Sequence, residues 1–454
     1  PDGRWLSLDS RAIHQMHQAI SARYDATLHD LLTRRMGVEF QANYPHPDKA
    51  PIWEVKGIDR RLIDAFSSRR ALARPVYDRL VAEYVEKNNR QPSQRASYAL
   101  WQKAILDTRD AKKPAQSLAE HRATWREMAE KVVGTHAVDS VVGEVTGQGQ
   151  GQVSRELFDA RVHARQVAER AVEAVTARRA QFRRSHIDTA VSTLLKGYRF
   201  EGAEALDRAH EQVMVTAMGE LVIELTPPEI LDLPSPLIGP SGAGVDRHAG
   251  AEKYTTQAVL DAETATLEAT RTPVAVIATR ADLDRALKAH EDAEGWSLNA
   301  GQTALAQHLI GAGTLLAAGV GPAGTGKTAS MKVVARTWQQ TGRSVIGLAP
   351  SAAAASVLAD DIGTDCHTID SLTFTWMGKH PTLPGKTLDA LPVMIRPGDM
   401  LLVDEAGMAS TENLAALTEI AAESGAILRL IGDPKQLAAV ETGGLFADLA
   451  RTPG

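Results

Sequence analysis

One eight-residue stretch constrains this chain more than any other. Gly321–Thr328 reads GPAGTGKT, follows an apolar run and opens a helical segment. It fits the pattern G-x-x-x-x-G-K-S/T, whose backbone N–H groups close around phosphate oxygens while the helix N-terminus adds partial positive charge. Gly321, Pro322, Ala323, Gly324, Thr325 and Gly326 would form the cradle. Lys327 would reach the β- and γ-phosphates, and the Thr328 hydroxyl would ligate Mg²⁺. The competing reading is a glycine turn with an incidental lysine. Around this stretch, apolar runs at Thr314–Val320, Ser344–Leu348, Met400–Val403 and Ala426–Ile431 alternate with helical segments. Such runs suit parallel strands buried on both faces and joined by crossover helices, a doubly wound α/β domain. Ligands of such sheets sit beyond the carboxyl ends of the strands, where the motifs fall.

Two further motifs occupy strand ends. MLLVDEAGM places Asp404 and Glu405 directly after an apolar run. The first carboxylate suits Mg²⁺, and the second suits polarising an attacking water. An acidic pair at a strand end is common by itself; its order after the phosphate loop favours chemistry. LIGDPKQLAAV offers Gln436, whose amide can donate to a γ-phosphate or orient water. Asp433 and Lys435 are either part of that site or ordinary loop charges.

Composition supports a globular, water-exposed chain. Apolar residues make up 44% and charged residues 23% of 454, which excludes wholesale disorder. No run of uncharged apolar residues is long enough for a membrane span, and the start lacks a signal-peptide pattern. A single cysteine, Cys366, excludes an internal disulfide and a cysteine-rich zinc site, and points to the cytoplasm. The net charge of −6 is uneven: residues 1–200 hold 33 Lys/Arg against 24 Asp/Glu (+9), and the rest hold 17 against 32 (−15). A basic half suggests nucleic acid, or else solvated helical faces.

The front of the chain reads as helical. Residues 7–36 carry Ile13, Met16, Ile20, Tyr24, Leu28, Leu31 and Leu32 at helical spacing, capped by Asp9 or Ser10 and stopped by Gly37. Short β-like pieces follow around Val38–Phe40 and Trp53–Val55, then a helix expected to break or bend at Pro75. Residues 94–134 and 154–215 are further helical stretches, separated by a Gly/Gln-rich loop. The Pro/Gly-rich segment TPPEILDLPSPLIGPSGAGVDRHAG marks a domain boundary.

GPAGTGKT, DEAGM and GDPKQL in this order closely resemble motifs I, II and III of superfamily-one DNA helicases, best the RecD-like branch that includes conjugative relaxase–helicases. SLNAGQ resembles the adenine-reading Q motif, with Gln302 as reader or else as an ordinary helix residue. GLAPSAAAASVL resembles motif Ia, which implies DNA-backbone contact around Pro350, Ser351 and Ala352. DCHTIDSL resembles the next element, with His367 and Thr368 as DNA contacts, or Thr368 as a helix cap. DGRWLSLDSRAIHQM and WEVKGIDRRLIDAFSSRRALA resemble parts of TrwC/TraA-type (MobF) relaxases.

The resemblance implies an α/β P-loop, RecA-like lobe over 251–454, a mainly helical linking region over 101–250, and the tail of an α+β relaxase domain over 1–100. It implies ATP and Mg²⁺ as cofactors, single-stranded DNA and the plasmid transfer machinery as partners, and a 5′→3′ DNA helicase as activity. His14 and His17 do not match the relaxase metal triad, and no tyrosine, Tyr24 and Tyr44 included, matches its nucleophile; Arg69 and Arg70 suit phosphates or a solvated face. Both ends look like cuts through a longer protein, so nicking and the second motor lobe are expected to lie elsewhere. Arginine fingers from that lobe are worth about 10³–10⁵ in rate, so poor hydrolysis is expected here. The alternatives are a RecD-like repair helicase and a non-catalytic DNA-binding remnant.

Overall fold

The computed structural model describes residues 11–44, 51–88, 92, 94–109, 117–147, 155–226, 250, 252–275, 277–321, 326–380, 383–434 and 444–451. The expected caps Asp9 and Ser10, the Gly/Gln-rich loop after Gly147 and most of the Pro/Gly-rich boundary segment lie outside the described residues. The chain forms two compact units. One comprises Arg23–Phe158 and Leu195–Arg208; the other comprises Pro1–Ala22, Asp159–Leu194 and Ala209–Gly454.

The first half is mainly helical. It runs through α1 (Arg11–Met36), β1 (Phe40–Asn43), β2 (Ile52–Val55), α2 (Arg60–Phe66), α3 (Ser68–Asn88), α4 (Gln94–Asp107), α5 (Leu118–Val133) and α6 (Thr135–Gly147). Then come β3 (Glu156–Leu157), α7 (Ala160–Thr176), α8 (Arg184–Leu195), β4 (Tyr198–Arg199), α9 (Ala203–Thr216), β5 (Ile223–Glu224) and β6 (Tyr254–Thr255). β1 and β2 pair antiparallel, Phe40 opposite Val55. Val38 and Phe40 build a small core with Val145, Trp53 and Val55.

Two expectations change here. Of the break or bend expected at Pro75, the break does not occur: the helix is interrupted at Ser67 and α3 continues through the proline. Pro75 leaves the Ala71 carbonyl without its helical donor, but Ala71 is exposed and water can serve it. Packing of Ala73, Tyr77 and Leu80 against Trp101 and Ala104 of α4 holds the segment helical. In α1 the regularly spaced large side chains Ile13, Ile20, Tyr24 and Leu28 are exposed, while Ala19, Ala22 and Ala26 are buried. Small side chains allow closer backbone approach than the larger stripe would.

The second half is α/β. It contains α10 (Gln257–Ala269), α11 (Arg280–Glu294), α12 (Ala300–Gly311), β7 (Leu316–Val320), α13 (Lys327–Gln339), β8 (Val345–Ala349) and α14 (Ala352–Ile362). It continues with β9 (Cys366–Thr368), α15 (Ile369–Trp376), β10 (Met400–Val403), α16 (Thr411–Ser424), β11 (Ile427–Gly432) and α17 (Leu445–Leu449). The five strands form one sheet in the order β7-β11-β10-β8-β9, every pair parallel. Met400 pairs with both Val345 and Ile427, so β10 is central.

Alternation builds two cores, one on each face. Leu401, Val403, Leu348 and Leu428 pack on one side. Met400, Leu402, Val345 and Ile431 pack on the other with Trp338 of α13. Capping boxes start α11 at Thr279 and α12 at Asn299, and left-handed glycines stop α11, α14 and α16. Among the described residues, no helix is long and apolar enough to cross a membrane.

Candidate nucleotide site

The site lies at the carboxyl ends of β7 and β10. β7 hands over to Gly321, whose N–H donates to the Gly432 carbonyl at 3.0 Å and so ties the loop to β11. A Cβ at Gly321 would stand 2.4 Å from Lys327 Cγ, so the glycine lets the lysine side chain lie against it. Gly326 adopts φ 76°, ψ 38° immediately before α13, a left-handed conformation that favours glycine. Lys327 and Thr328 are then the first two residues of α13. Pro322, Ala323, Gly324 and Thr325 lie outside the described residues, as do Lys435 and Gln436.

β10 delivers the acidic pair. The Asp404 N–H donates to the Leu348 carbonyl at 2.9 Å and extends the ladder by one bond. Glu405 is left-handed at φ 51°, ψ 39°, one of two such non-glycine residues among those described. This turn sends its side chain toward the phosphate loop, where Lys327 Nζ lies 2.9 Å from Glu405 Oε1. The lysine side chain is 10% exposed and the glutamate 29%. Burial pushes Asp404 above the ordinary carboxylate range, and the neighbouring Glu405 charge adds to this; the Glu405 N–H, donating to Asp404 Oδ1 at 2.8 Å, works against it. A divalent cation beside Asp404 would relieve both upward pressures, so the donor set fits Mg²⁺.

Gln302 sits beside the loop, but its amide is engaged. Oε1 accepts from the Asn299 N–H at 2.9 Å, closing the capping box of α12, and Nε2 donates to the Gly326 carbonyl at 3.4 Å. The fully buried Ser330 of α13 donates to the Gln302 carbonyl at 3.1 Å. Sequence reading missed Ser330; its signal is the i+3 spacing from Lys327 on the same helix face. A cavity of about 270 Å³ opens here, lined in part by Asn299, Gln302, Gly321 and Lys327.

The remaining candidates scatter. Ser351 caps α14, its Oγ accepting from the Ala354 N–H at 3.2 Å, with Pro350 just before it and Ala352 as the first helical residue. Thr368 takes the capping role at α15, accepting from the Ser371 N–H at 3.1 Å. His367 pairs with Leu348 in the edge strand β9. Asp433 is buried just after β11. Arg69 and Arg70 are exposed on α3.

This arrangement agrees with comparison to known proteins. Residues 297–454 match the AAA domain family, and residues 1–132 match the TrwC relaxase family. A segment similar to the TrwC relaxase family thus precedes one similar to the AAA domain family in this chain. It is similar to the probable conjugal transfer protein TraA of Sinorhizobium fredii, 35% identical over 144 residues, which cover 32% of this chain and 12% of that protein. The conjugal transfer protein TraA of Rhizobium radiobacter is 32% identical over 168 residues, 37% of this chain and 14% of that protein. That of Agrobacterium fabrum is 32% identical over 131 residues, 29% and 11% respectively. The matched stretches thus span a small fraction of these relatives. The parallel sheet with its strand-end loops is the AAA domain's framework, and the AAA domain implies nucleotide binding.

Proposed function

We propose that residues 251–454 form the first RecA-like lobe of an ATP-driven DNA helicase, moving 5′→3′ on single-stranded DNA during conjugal transfer. In this reading residues 1–100 are the end of a TrwC-like relaxase domain and 101–250 a helical link. The observation that carries it is the 2.9 Å meeting of Lys327 with Glu405, which brings the phosphate loop and the acidic strand end into one site. The similarity to TraA proteins supports conjugal transfer as the setting.

The residues divide the work. Backbone amides at Gly321–Gly326 and the start of α13 bind the phosphates, and Lys327 exchanges its Glu405 partner for the β- and γ-phosphates. Glu405, released, takes a proton from the attacking water at its carboxylate. Thr328 and Asp404 would hold Mg²⁺, which supplies charge neutralisation on the phosphates. Gln436 reports the γ-phosphate. Gln302 reads adenine only after its amide leaves Asn299 and Gly326.

The test is equilibrium binding of a fluorescent ATP analogue with Mg²⁺, with and without single-stranded DNA. Wild-type chain is expected to bind and Lys327→Ala to lose at least tenfold in affinity. Equal binding by both would refute the assignment of the phosphate site.

A further inference from the structure

A second polar cavity, of about 340 Å³, lies away from the nucleotide site. Its walls are His14, Gln15, His17 and Gln18 of α1, with Arg179, Arg183, Ser185, His186 and Thr189 of the α7–α8 turn and α8. Every one of these side chains is polar. Two are arginines, three are histidines, and no carboxylate among the described residues lines the cavity. The nearest acid in sequence, Asp188, is paired with His210 at 3.0 Å. Among the described residues no three His, Cys, Asp or Glu are grouped to hold a metal, so the histidines do not form a metal site. The charge character is that of an anion site, and its volume is in the range of small-ligand pockets.

The basic turn is held rigid. Phe182, fully buried between Arg179 and Arg183, exchanges two backbone hydrogen bonds with Tyr254, at 2.9 and 2.8 Å. Thr255 Oγ1 donates to the Ala180 carbonyl at 2.8 Å. His186 Nδ1 accepts from the Arg183 N–H at 3.1 Å, which fixes the ring with its proton on Nε2. On the opposite wall His17 Nδ1 lies 2.9 Å from the His14 carbonyl, so Nε2 is the ring atom offered to a ligand. A turn set in place by the core binds without an ordering cost.

One more atom narrows the ligand. Gln15 Oε1 is buried and has no hydrogen-bond partner among the described residues. A phosphodiester group, which carries no proton at neutral pH, gives it nothing. A nucleotide brings phosphate oxygens for the cations and base N–H groups for the amide. Arg179 also lines a neighbouring cavity of about 410 Å³, whose wall includes Lys379 and Ser410–Glu412 at the start of α16. α16 is the helix that follows the Asp404–Glu405 turn.

We propose that the cavity between α1 and the α7–α8 turn seats a nucleotide of single-stranded nucleic acid, its phosphate on Arg179 and Arg183 and its base edge on Gln15. The strand would continue past Arg179 toward the start of α16. This rests on the DNA-directed reading given above, and it adds a binding site that none of the helicase-like motifs supplies.

The experiment is fluorescence anisotropy of a short labelled oligo(dT) over a salt series. It compares wild type, the double variant Arg179→Gln/Arg183→Gln, and His17→Glu on the exposed opposite wall. The double variant is expected to bind about tenfold or more weakly. Its slope of log affinity against log salt should fall by roughly 0.7 for each phosphate no longer neutralised, about 1.4 for two arginines. His17→Glu should weaken binding in the same sense and serves if the double variant does not fold. Binding of the fluorescent ATP analogue should be unchanged in both variants. Wild-type affinity and slope in the folded variants would overturn the site while leaving the helicase reading standing. No binding of oligo(dT) by the wild type would overturn both. Displacement of oligo(dT) by inorganic phosphate at low concentration would mark a free-anion site and overturn the nucleotide assignment.

Discussion

Replacing Arg429 by methionine would test what holds the phosphate-loop strand in place. Arg429 sits in β11 with 1% exposure and no carboxylate partner among the described residues. Its guanidinium instead donates to five carbonyls: Nε to Leu309 at 2.6 Å, one terminal nitrogen to Thr314, Leu315 and Leu428 at 3.0, 3.4 and 3.0 Å, and the other to Ala312 at 2.8 Å. Four of these carbonyls close the end of α12 and the approach to β7, the strand that leads into Gly321; the fifth, Leu428, is in β11 itself. Burial lowers the guanidinium to about 10, so it stays charged at neutral pH. Leu315 keeps a second donor in the Leu428 N–H, and Leu428 itself lies within the sheet ladder, which leaves Leu309, Ala312 and Thr314 to be stripped. At about 1–3 kcal/mol each, three stripped carbonyls cost roughly 3–9 kcal/mol. Relief of guanidinium desolvation returns several of these. The expected net loss is about 3 kcal/mol, or roughly 6–12 °C in melting temperature for a lobe of this size. Urea and thermal melts followed by tryptophan emission read it, since Trp338 is buried in the same lobe. Arg429→Lys keeps three donors at one point and should fall between. A methionine variant within 1 kcal/mol of wild type would refute the reasoning, because the carbonyls would then have found other donors.

Two further predictions follow from buried titratable groups. His29 stacks on Phe40 at 3.8 Å, and burial first, then Lys196 and Arg155, lower it from 6.5 to about 4. The fold therefore binds it neutral: its stabilisation is complete above pH 6.5 and is lost as pH falls toward 4, by about 3 kcal/mol. His29→Leu should flatten the melting-temperature profile over that window, and a profile parallel to wild type would exclude His29 as the cause. Burial, then Asp365, pushes the Cys366 thiol from 9.0 up to about 11, which leaves roughly one-hundredth of the ordinary thiolate. Alkylation by iodoacetamide at pH 8 should be slower than for a free thiol by about that factor, and an ordinary rate would contradict the burial argument.

The four long strands were legible because each is buried on both faces, so a continuous apolar run identifies it. β9 was not legible: Cys366–Thr368 is short and polar, and only its pairing with Gly347–Ala349 makes it a strand. α1 misled for a different reason. Hydrophobic spacing marks its large side chains, whereas close packing selected the alanine face, and periodicity does not weigh size. The helix does not break at Pro75 because a solvent-exposed face can hydrate the carbonyl that proline orphans. At the candidate site, motif order put Gly321, Gly326, Lys327 and the Asp404–Glu405 pair at strand ends, and the structure has them there, with Lys327 against Glu405. The basic cavity was not legible, since α1 and the α7–α8 turn are far apart in sequence and neither carries a motif.

Glu405 connects the local strain of the site to its proposed chemistry. A left-handed glutamate costs on the order of 1–2 kcal/mol, and a chain under no other demand would place glycine or asparagine there. The turn is worth that cost only if the side chain must arrive where it does, against Lys327. In the structure the two charges satisfy each other. A γ-phosphate that draws Lys327 away would therefore unpair Glu405 in the same event. Binding and activation would be coupled through one ion pair, with no further moving part required. The pairing has a consequence for mutants. Glu405→Gln removes the competitor for Lys327, so in the proposed mechanism it should bind the ATP analogue more tightly than wild type even as it loses hydrolysis. A variant that lost both would show that Glu405 shapes the site rather than acting in it.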